Sequence, residues 1–388
     1  MKKERKFQFD PVFVVWGIAF IILLFFVYKA VVRLIMVLPK ETIEQKFTAS
    51  IKRQGEWFVR NQKPDGNFVY EQISATGEET ENNNIVRQAG ALYGLGHIYR
   101  FVKDPSIQEA FERGLEYFKT LSSTPSADAI AITHEGRTFT NATALVVLGL
   151  SEYMEADDRL KTTKNLEYLV RLSNYLISTQ TQEGTYIDSY IPEPSVSDYT
   201  NGEAMYALMR SYNLTQKEVY LASVTRMANY AIEHYGTQKF NAQFFSWSMA
   251  GFAYLYKAVP EERYWKYMVS AVDLYFQSLG KMYDAYLLDN EFYVSISPGS
   301  SVFLEGIDHV GWVAKNKDLV LYKKLQTHTK RVLEYLLRYE INSPYGTYKS
   351  DDSRVHGAIC SKDTCETTRI DFMQHNVSAM YLYLRFFK

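Results

Sequence analysis

Apolar positions recur along this chain in two alternating styles. The first is amphipathic: Ile107, Phe111, Leu115, Phe118 and Leu121 fall at helical spacing, with Asp104 placed to cap and Pro105 at the first helical position. The same reading predicts helices over Thr42 to Asn61, Asn165 to Gln180, Gln216 to Tyr235, Glu261 to Leu279 and Leu319 to Glu340. Thr215 followed by Glu218 reads as a capping box ahead of the helix at 216. Each of these helices buries one face and wets the other. The second style is small-residue-rich and apolar on most sides, as in AGALYGLGHIY and SWSMAGFAYLY. It predicts helices over Asn83 to Phe101, Asn141 to Met154, Asn201 to Tyr212, Phe245 to Lys257, Glu305 to Lys315 and Asp371 to Phe387. A helix apolar nearly all round is covered on both sides.

The buried helices start roughly 45 to 65 residues apart, the length of two helices with their connections. A Gly- or Pro-punctuated loop bearing Asp, His or Arg leads into each. Six outer–inner hairpins closed into a ring satisfy both patterns, whereas an open superhelix leaves end repeats that need caps. The expected fold class is therefore all-α, an (α/α)6 barrel of six helical hairpins.

One N-terminal transmembrane helix is expected before the ring. Pro11 to Tyr28 carries no charge and is just long enough to cross a bilayer core. It runs on past Lys29 and Arg33 to Pro39 without a signal-peptidase-like site, which points to an uncleaved anchor meeting the lipid bilayer through residues 11–38. The expected division is a cytoplasmic tip and anchor at 1–40 and a toroid domain at 41–388. Lys2, Lys3, Arg5 and Lys6 precede the span while Lys29, Arg33 and Lys40 follow it, a slight bias toward an inward N-terminus. Cys360 and Cys365, five apart in CSKDTC, can close a small disulfide loop, with two free thiols as the alternative. A zinc site lacks a second cysteine pair and has only His356 nearby. The pair supports an extracytoplasmic domain, periplasmic or extracellular.

Hydrophobic residues make up 47% of 388, enough for one large core, and the formal net charge is −1. Nucleic acid is excluded as a partner class, because it normally needs a basic stripe to replace counterions. Aromatic content is 15%, with Tyr70, Tyr186, Tyr190, Tyr199, Tyr345 and Tyr348 falling in the loops before buried helices.

Three of those loops share a further detail: NQKPDGNFVY at 61–70, TQTQEGTYIDSY at 179–190 and INSPYGTYKSD at 341–351 each leave a helix, then place Gly and an aromatic. Glycine takes a left-handed backbone at little cost, and the aromatic can fold back onto the helix. Here the chain resembles the (α/α) toroid superfamilies: six-hairpin glycosidases, the C-terminal domain of glucuronyl C5-epimerases, several polysaccharide lyases and the terpene cyclases. The likeness covers residues 42–388 and lies in the repeat and the Gly–aromatic exits, with no catalytic motif matched. The Asp-rich motif of terpene cyclases and the metal set of zinc prenyltransferases are not apparent, and Asp351–Asp352 is a lone acidic pair. The sugar-active branches are closer in character.

In such a ring the N-termini of the inner helices gather at one mouth, presenting free N–H groups. A glycosidase needs one carboxyl to protonate the leaving oxygen and another to activate water or attack the sugar. The candidates are Asp198 and Glu203 from YTNGEAMY, Asp308 from LEGIDHVGW and Asp371 from TRIDFMQH, with His309 and His375 close to the last two. Arg87, Arg354 and Arg369 can bind a uronate carboxylate, and Tyr199 can stack on a sugar or serve as acid or base. Local structural roles compete: Thr200 to Glu203 spells a capping box, Thr368 and Asp371 allow a similar cap, and Asp308–His309 suits a satisfied core pair. No metal or other cofactor is implied.

The leading functional expectation is a membrane-anchored extracytoplasmic enzyme acting on a polysaccharide or glycan. Its chemistry would be glycoside hydrolysis, or lyase or epimerase chemistry at a uronic acid. A non-catalytic glycan- or peptide-binding toroid in a cell-envelope assembly is the alternative, favoured if the acids all sit in caps or salt bridges. A lipid or isoprenoid enzyme would need an apolar pocket facing the anchor.

Overall fold

The structure is a computed structural model that describes residues 20–29, 41–189, 194–235, 239–279 and 296–387. The chain divides into two units, Met1–Lys46 and Phe47–Lys388. In the first, residues 20–29 are helical, and the large apolar side chains from Phe20 to Tyr28 are 50–66% exposed. Most of the transmembrane helix expected over 11–38 lies outside the described residues. Among the described residues no helix is long and apolar enough to cross a membrane.

Among the described residues twelve α-helices follow, alternating in character as the sequence predicts. The outer set is α1 (Ile43–Arg60), α3 (Pro105–Thr120), α5 (Thr163–Ser178), α7 (Glu218–His234), α9 (Glu262–Leu279) and α11 (Leu319–Leu336). Between them run the inner helices α2 (Ile85–Val102), α4 (Thr140–Ala156), α6 (Asp198–Thr215), α8 (Ala242–Ala258), α10 (Ser301–Lys317) and α12 (Ile370–Phe386). Outer α3 buries only the stripe Ile107, Ala110, Phe111, Gly114, Leu115 and Phe118, whereas inner α4 is buried continuously from Ala142 to Met154. Each inner helix packs on the next, and α12 returns to α2, so the ring is closed. This is the (α/α)6 toroid.

Small residues set how closely the inner helices approach. A Cβ on Gly149 of α4 would stand 3.1 Å from the Leu92 carbonyl carbon and the Tyr93 nitrogen of α2, backbone atoms that cannot rotate away. Ring closure is also polar: Gln54 of α1 donates to Asn376 Oδ1 of α12 across 2.9 Å in a buried contact.

Asp104, Thr162 and Asp318 cap α3, α5 and α11 with their side chains. The capping box expected from Thr215 and Glu218 does not form. Thr215 belongs to the last turn of α6 and donates back to Ser211, the chain turns at Gln216 with φ 55°, and Lys217 becomes the N-cap of α7 without a side-chain bond.

The Gly–aromatic exits form one repeated module, with a correction at the third. Gly66 (φ 93°) and Gly184 (φ 106°) turn the chain against the carbonyls of Arg113 and Arg226 on the next outer helix, where no Cβ fits. Phe68 and Tyr186 behind them are buried, Phe68 packing edge-to-face on Phe58 of α1. At each exit a glutamine side chain accepts from the following arginine, Gln62 from Arg113 and Gln180 from Arg226. In the sixth hairpin the corresponding glycine is Gly357 (φ 79°), set against the Arg53 carbonyl, and Glu340 takes the glutamine's place against Arg53. Gly346, expected from the sequence, lies in a preceding turn.

Short strands lace the loops at the inner-helix N-termini. β1 (Glu71–Ile73) pairs antiparallel with β7 (Thr367–Arg369), placing Glu71 opposite Arg369 and tying the first loop to the last. A second sheet joins β2 (Ser122–Ser126), β3 (Ala129–His134) and β4 (Arg137–Thr138), and β5 (Ile187–Ser189) pairs with β6 (Ser195–Val196). Cys360 and Cys365 form a disulfide just before β7, as the spacing predicts.

Candidate active site

A cavity of about 380 Å³ opens where the inner helices begin. It takes first-turn or pre-helix residues from five of them: Asn84 and Arg87 before and on α2, Asn141 on α4, Ser197 and Tyr199 at α6, Gly299 and Val302 at α10, and Asp371 and Phe372 on α12. The sixth, α8, contributes Trp247. One turn deeper stand Gly90, Leu145, Glu203, Gln374 and His375. A larger trough of about 650 Å³ lies outside the ring between α3 and α5, lined by charged surface residues such as Glu109, Glu116 and Lys119. Its carboxyls are exposed, whereas the mouth cavity holds the buried carboxyl of Glu203, so the mouth is the candidate site.

Of the four expected acids, the structure brings Glu203 and Asp371 to this cavity and takes Asp198 and Asp308 elsewhere. Glu203 is 5% exposed, its Oε2 is buried without a hydrogen-bond partner, and no capping box forms because Ser197 is the N-cap. Burial, then the nearby charge of Asp188, pushes its carboxyl up to about 8. Asp371 is committed to a salt bridge: Arg369 donates from Nε and Nη2 to its two oxygens at 2.7 and 2.9 Å, and Arg87 Nε stands 3.1 Å away. Asp198 accepts from Tyr235 and from Asn241 across 2.9 Å, outside the cavity lining. Asp308 is fully buried between α10 and α11, accepting from Thr329 across 2.8 Å, and burial holds its carboxyl well above the carboxylate range.

The expected binding residues divide in the same way. Arg87, Tyr199 and His375 line the cavity, and Arg369 acts behind it by holding Asp371. Arg354 is drawn off to Asp352 and the Thr76 carbonyl. His309 lies about two turns into α10, with Nδ1 2.7 Å from the Glu305 carbonyl, and burial depresses it to about 3, so it is a neutral core imidazole.

Glu305, Trp247 and Gln374 complete the site without having been singled out as site residues by the sequence. Nδ1 of His375 is 2.6 Å from Glu305 Oε1, and burial raises the Glu305 carboxyl while the imidazole pulls it back. The two are separated by 70 residues, so no local motif marks the pair. Trp247 packs its ring 5.8 Å from that of His375 and forms an apolar wall.

Farther along the inner helices the axis is filled. Tyr206 Oη lies 3.4 Å from both Tyr93 Oη and His309 Nε2, and fully buried Arg210 donates to Tyr206 across 3.2 Å. Arg210 also pairs with Glu152 and, at 2.9 Å, with Glu155. A buried ion pair of this kind is tolerated because each charge has a partner. Among the described residues no group of three or more His, Cys, Asp or Glu is arranged to hold a metal ion.

No protein-family model matches the chain, and no curated protein matches it in sequence. Solved structures match its fold. An inactive variant of the α-1,6-mannanase GH76A of Salegentibacter sp. HEL1_6, in complex with α-1,6-mannotetrose, has a TM-score of 0.64 at 11% identity, covering 88% of this chain and 99% of that one. Cellobiose 2-epimerase from Spirochaeta thermophila gives 0.61 at 12%, covering 89% and 98%. A D-mannose isomerase gives 0.60 at 13%, covering 87% and 97%. At these identities the likeness establishes the toroid. The mannanase variant has two consecutive aspartates replaced. The consecutive aspartates of this chain, Asp157–Asp158 and Asp351–Asp352, do not line the cavity.

Proposed function

We propose that this protein is a carbohydrate-active enzyme that performs acid–base chemistry on a polysaccharide or glycan at the toroid mouth. The observation that carries this reading is Glu203, a buried carboxyl whose Oε2 has no hydrogen-bond partner among the described residues, in a cavity lined by amides, an indole and a phenyl ring. A binding-only toroid has no free acid at its mouth; Asp371 is held in a salt bridge and Asp308 is bonded to Thr329 away from the cavity lining, whereas Glu203 lines the cavity with its Oε2 unbonded among the described residues. An unpartnered buried carboxyl costs stability, and a raised proton affinity is what a general acid needs near neutral pH.

In this reading Glu203 protonates the departing glycosidic oxygen. The ring of His375, fixed by Glu305, takes a proton from the attacking water. Trp247 and Tyr199 stack on the sugar, and Asn84, Asn141 and Gln374 bond its hydroxyls. A second reading, proton abstraction from a sugar carbon as in an epimerase or lyase, is favoured by the base being an imidazole rather than a second free carboxylate. Solved toroids named as mannanases, an isomerase and an epimerase support sugar as the substrate class. Anchoring through residues 11–38 and an extracytoplasmic domain belong to the same proposal, supported by the uncharged N-terminal run and by the disulfide, which persists in oxidising compartments.

The test is to incubate the protein with neutral and acidic polysaccharides and oligosaccharides, reading reducing ends, unsaturated-uronate absorbance and epimer composition. Hydrolysis raises the first alone, elimination the first two, and epimerisation only the third. Glu203→Gln should abolish whichever signal appears. If no substrate changes, or if Glu203→Gln retains full activity, the reading is overturned.

A further inference from the structure

We propose that Asp188 is a positioning residue for this site, an unpaired carboxylate fastened beside the first turn of α6 so that Glu203 keeps its proton. The inference rests on the acid role given to Glu203 above.

Three side chains fasten the strand that carries Asp188. Asn201 of α6 accepts from the Tyr186 backbone N–H across 2.8 Å, Thr140 of α4 donates to the Ile187 carbonyl across 2.7 Å, and Thr200 of α6 donates to Asp188 Oδ1. Thr140, Thr200 and Asn201 are all fully buried. Pairing of Ile187 with Val196 and Ser189 with Ser195 then holds Asp188 from both sides along β5. Thr200 and Glu203 are three apart on one helix and so share a face. The carboxylate bound to Thr200 therefore lies on the Glu203 side of α6.

Asp188 has no cationic partner among the described residues, unlike Asp371 or Glu152. An unpaired carboxylate beside a buried acid disfavours ionisation of that acid. The other charged groups at the cavity have partners: Arg87 and Arg369 act on Asp371, His375 is joined to Glu305, and α8 presents Trp247 and Ser248, which carry no charge; Tyr199 adds a phenol on α6 itself.

The experiment titrates the Glu203 carboxyl directly by ¹³C NMR in full-length, ligand-free protein labelled at glutamate, with the resonance assigned by its loss in Glu203→Gln. Asp188→Asn, which keeps the acceptor for Thr200 but removes the charge, should lower the Glu203 midpoint by about half a unit to one unit. Thr200→Val, which unties the carboxylate and leaves its charge, should lower it by less and guards against a folding defect in the first variant. The alkaline limb of kcat/KM should move to lower pH by the same amount in each. Unchanged midpoints in both variants overturn the proposal whatever the enzyme does. Shifted midpoints in a protein that transforms no sugar would instead uphold the electrostatic role and overturn the function proposed for the site.

Discussion

Nδ1 of His375 on α12 meets Oε1 of Glu305 on α10 across 2.6 Å, joining two neighbouring inner helices at the wall of the mouth cavity. A buried carboxyl in that position selects the tautomer and orientation of the ring, leaving Nε2 as the atom for chemistry.

Removing the imidazole therefore removes the base. His375→Ala should lower kcat by about 10²- to 10⁴-fold, and Glu305→Gln, which keeps shape but not charge, by a smaller factor with KM little changed. Steady-state kinetics on the substrate found in the screen decide it, with near-ultraviolet circular dichroism confirming the fold. Wild-type kcat in a folded His375→Ala would remove this residue from the mechanism.

Glu203 makes a prediction of opposite sign for activity and stability. Its carboxyl is raised from 4.5 to about 8 in the folded protein. Between those pH values the native state holds a proton that the unfolded chain has lost. Stability from this group therefore falls as pH rises through that window, and the full cost is present above it. Glu203→Gln should be inactive yet more stable than wild type by roughly 2 to 5 kcal/mol at pH 9, with little difference at pH 4.5. Urea unfolding at the two pH values measures the gap. A variant less stable than wild type at pH 9 would mean that Glu203 supports the fold.

The alternation of helix styles was enough to place all six hairpins because helix burial is written in local periodicity. Asp104 and Pro105 mark the start of α3 for the same reason: a cap is a local bond. The apolar pattern places three inner-helix starts late, because the first turn carries polar residues that the pattern leaves out. The pattern starts α6 at Asn201, α8 at Phe245 and α10 at Glu305, while the helices begin at Asp198, Ala242 and Ser301. The site was only half legible. Glu203 and Asp371 look alike in sequence, and what separates them is the pair of guanidiniums on Asp371, Arg369 from its own strand and Arg87 from another hairpin. A start at Glu305 puts Asp308 and His309 at the mouth; the one extra turn from Ser301 to Leu304 carries them down into the core. Glu305 enters the site through His375, a contact between the fifth and sixth inner helices across 70 residues of sequence.

Close packing of the inner ring gives a prediction independent of function. Gly149→Ala places a methyl 3.1 Å from α2 backbone, so α2 and α4 must separate or strain. A loss of roughly 1 to 3 kcal/mol follows from overpacking of this kind. Gly299→Ala is the control, since the nearest atom there is 3.6 Å away and its effect should be near zero. Equal stabilities for the two variants would contradict the helix spacing described.

Asp308 tests whether the cavity has been drawn correctly. Its carboxyl is fully buried, bonded to Thr329 on the neighbouring outer helix, and held in the neutral form by burial. Asparagine reproduces that shape, keeps the acceptor for Thr329 and carries no charge, so Asp308→Asn should shift stability by about 1 kcal/mol or less, and kcat/KM by less than about threefold. Glu203→Gln is an equally conservative exchange one residue type away, yet it removes the proton assigned to the departing oxygen and should abolish turnover. The comparison separates position from chemistry, because both carboxyls are buried and both are raised, and only one faces the cavity. A folded Asp308→Asn that lost activity as completely as Glu203→Gln would show that the reacting centre lies deeper along the ring axis than the mouth.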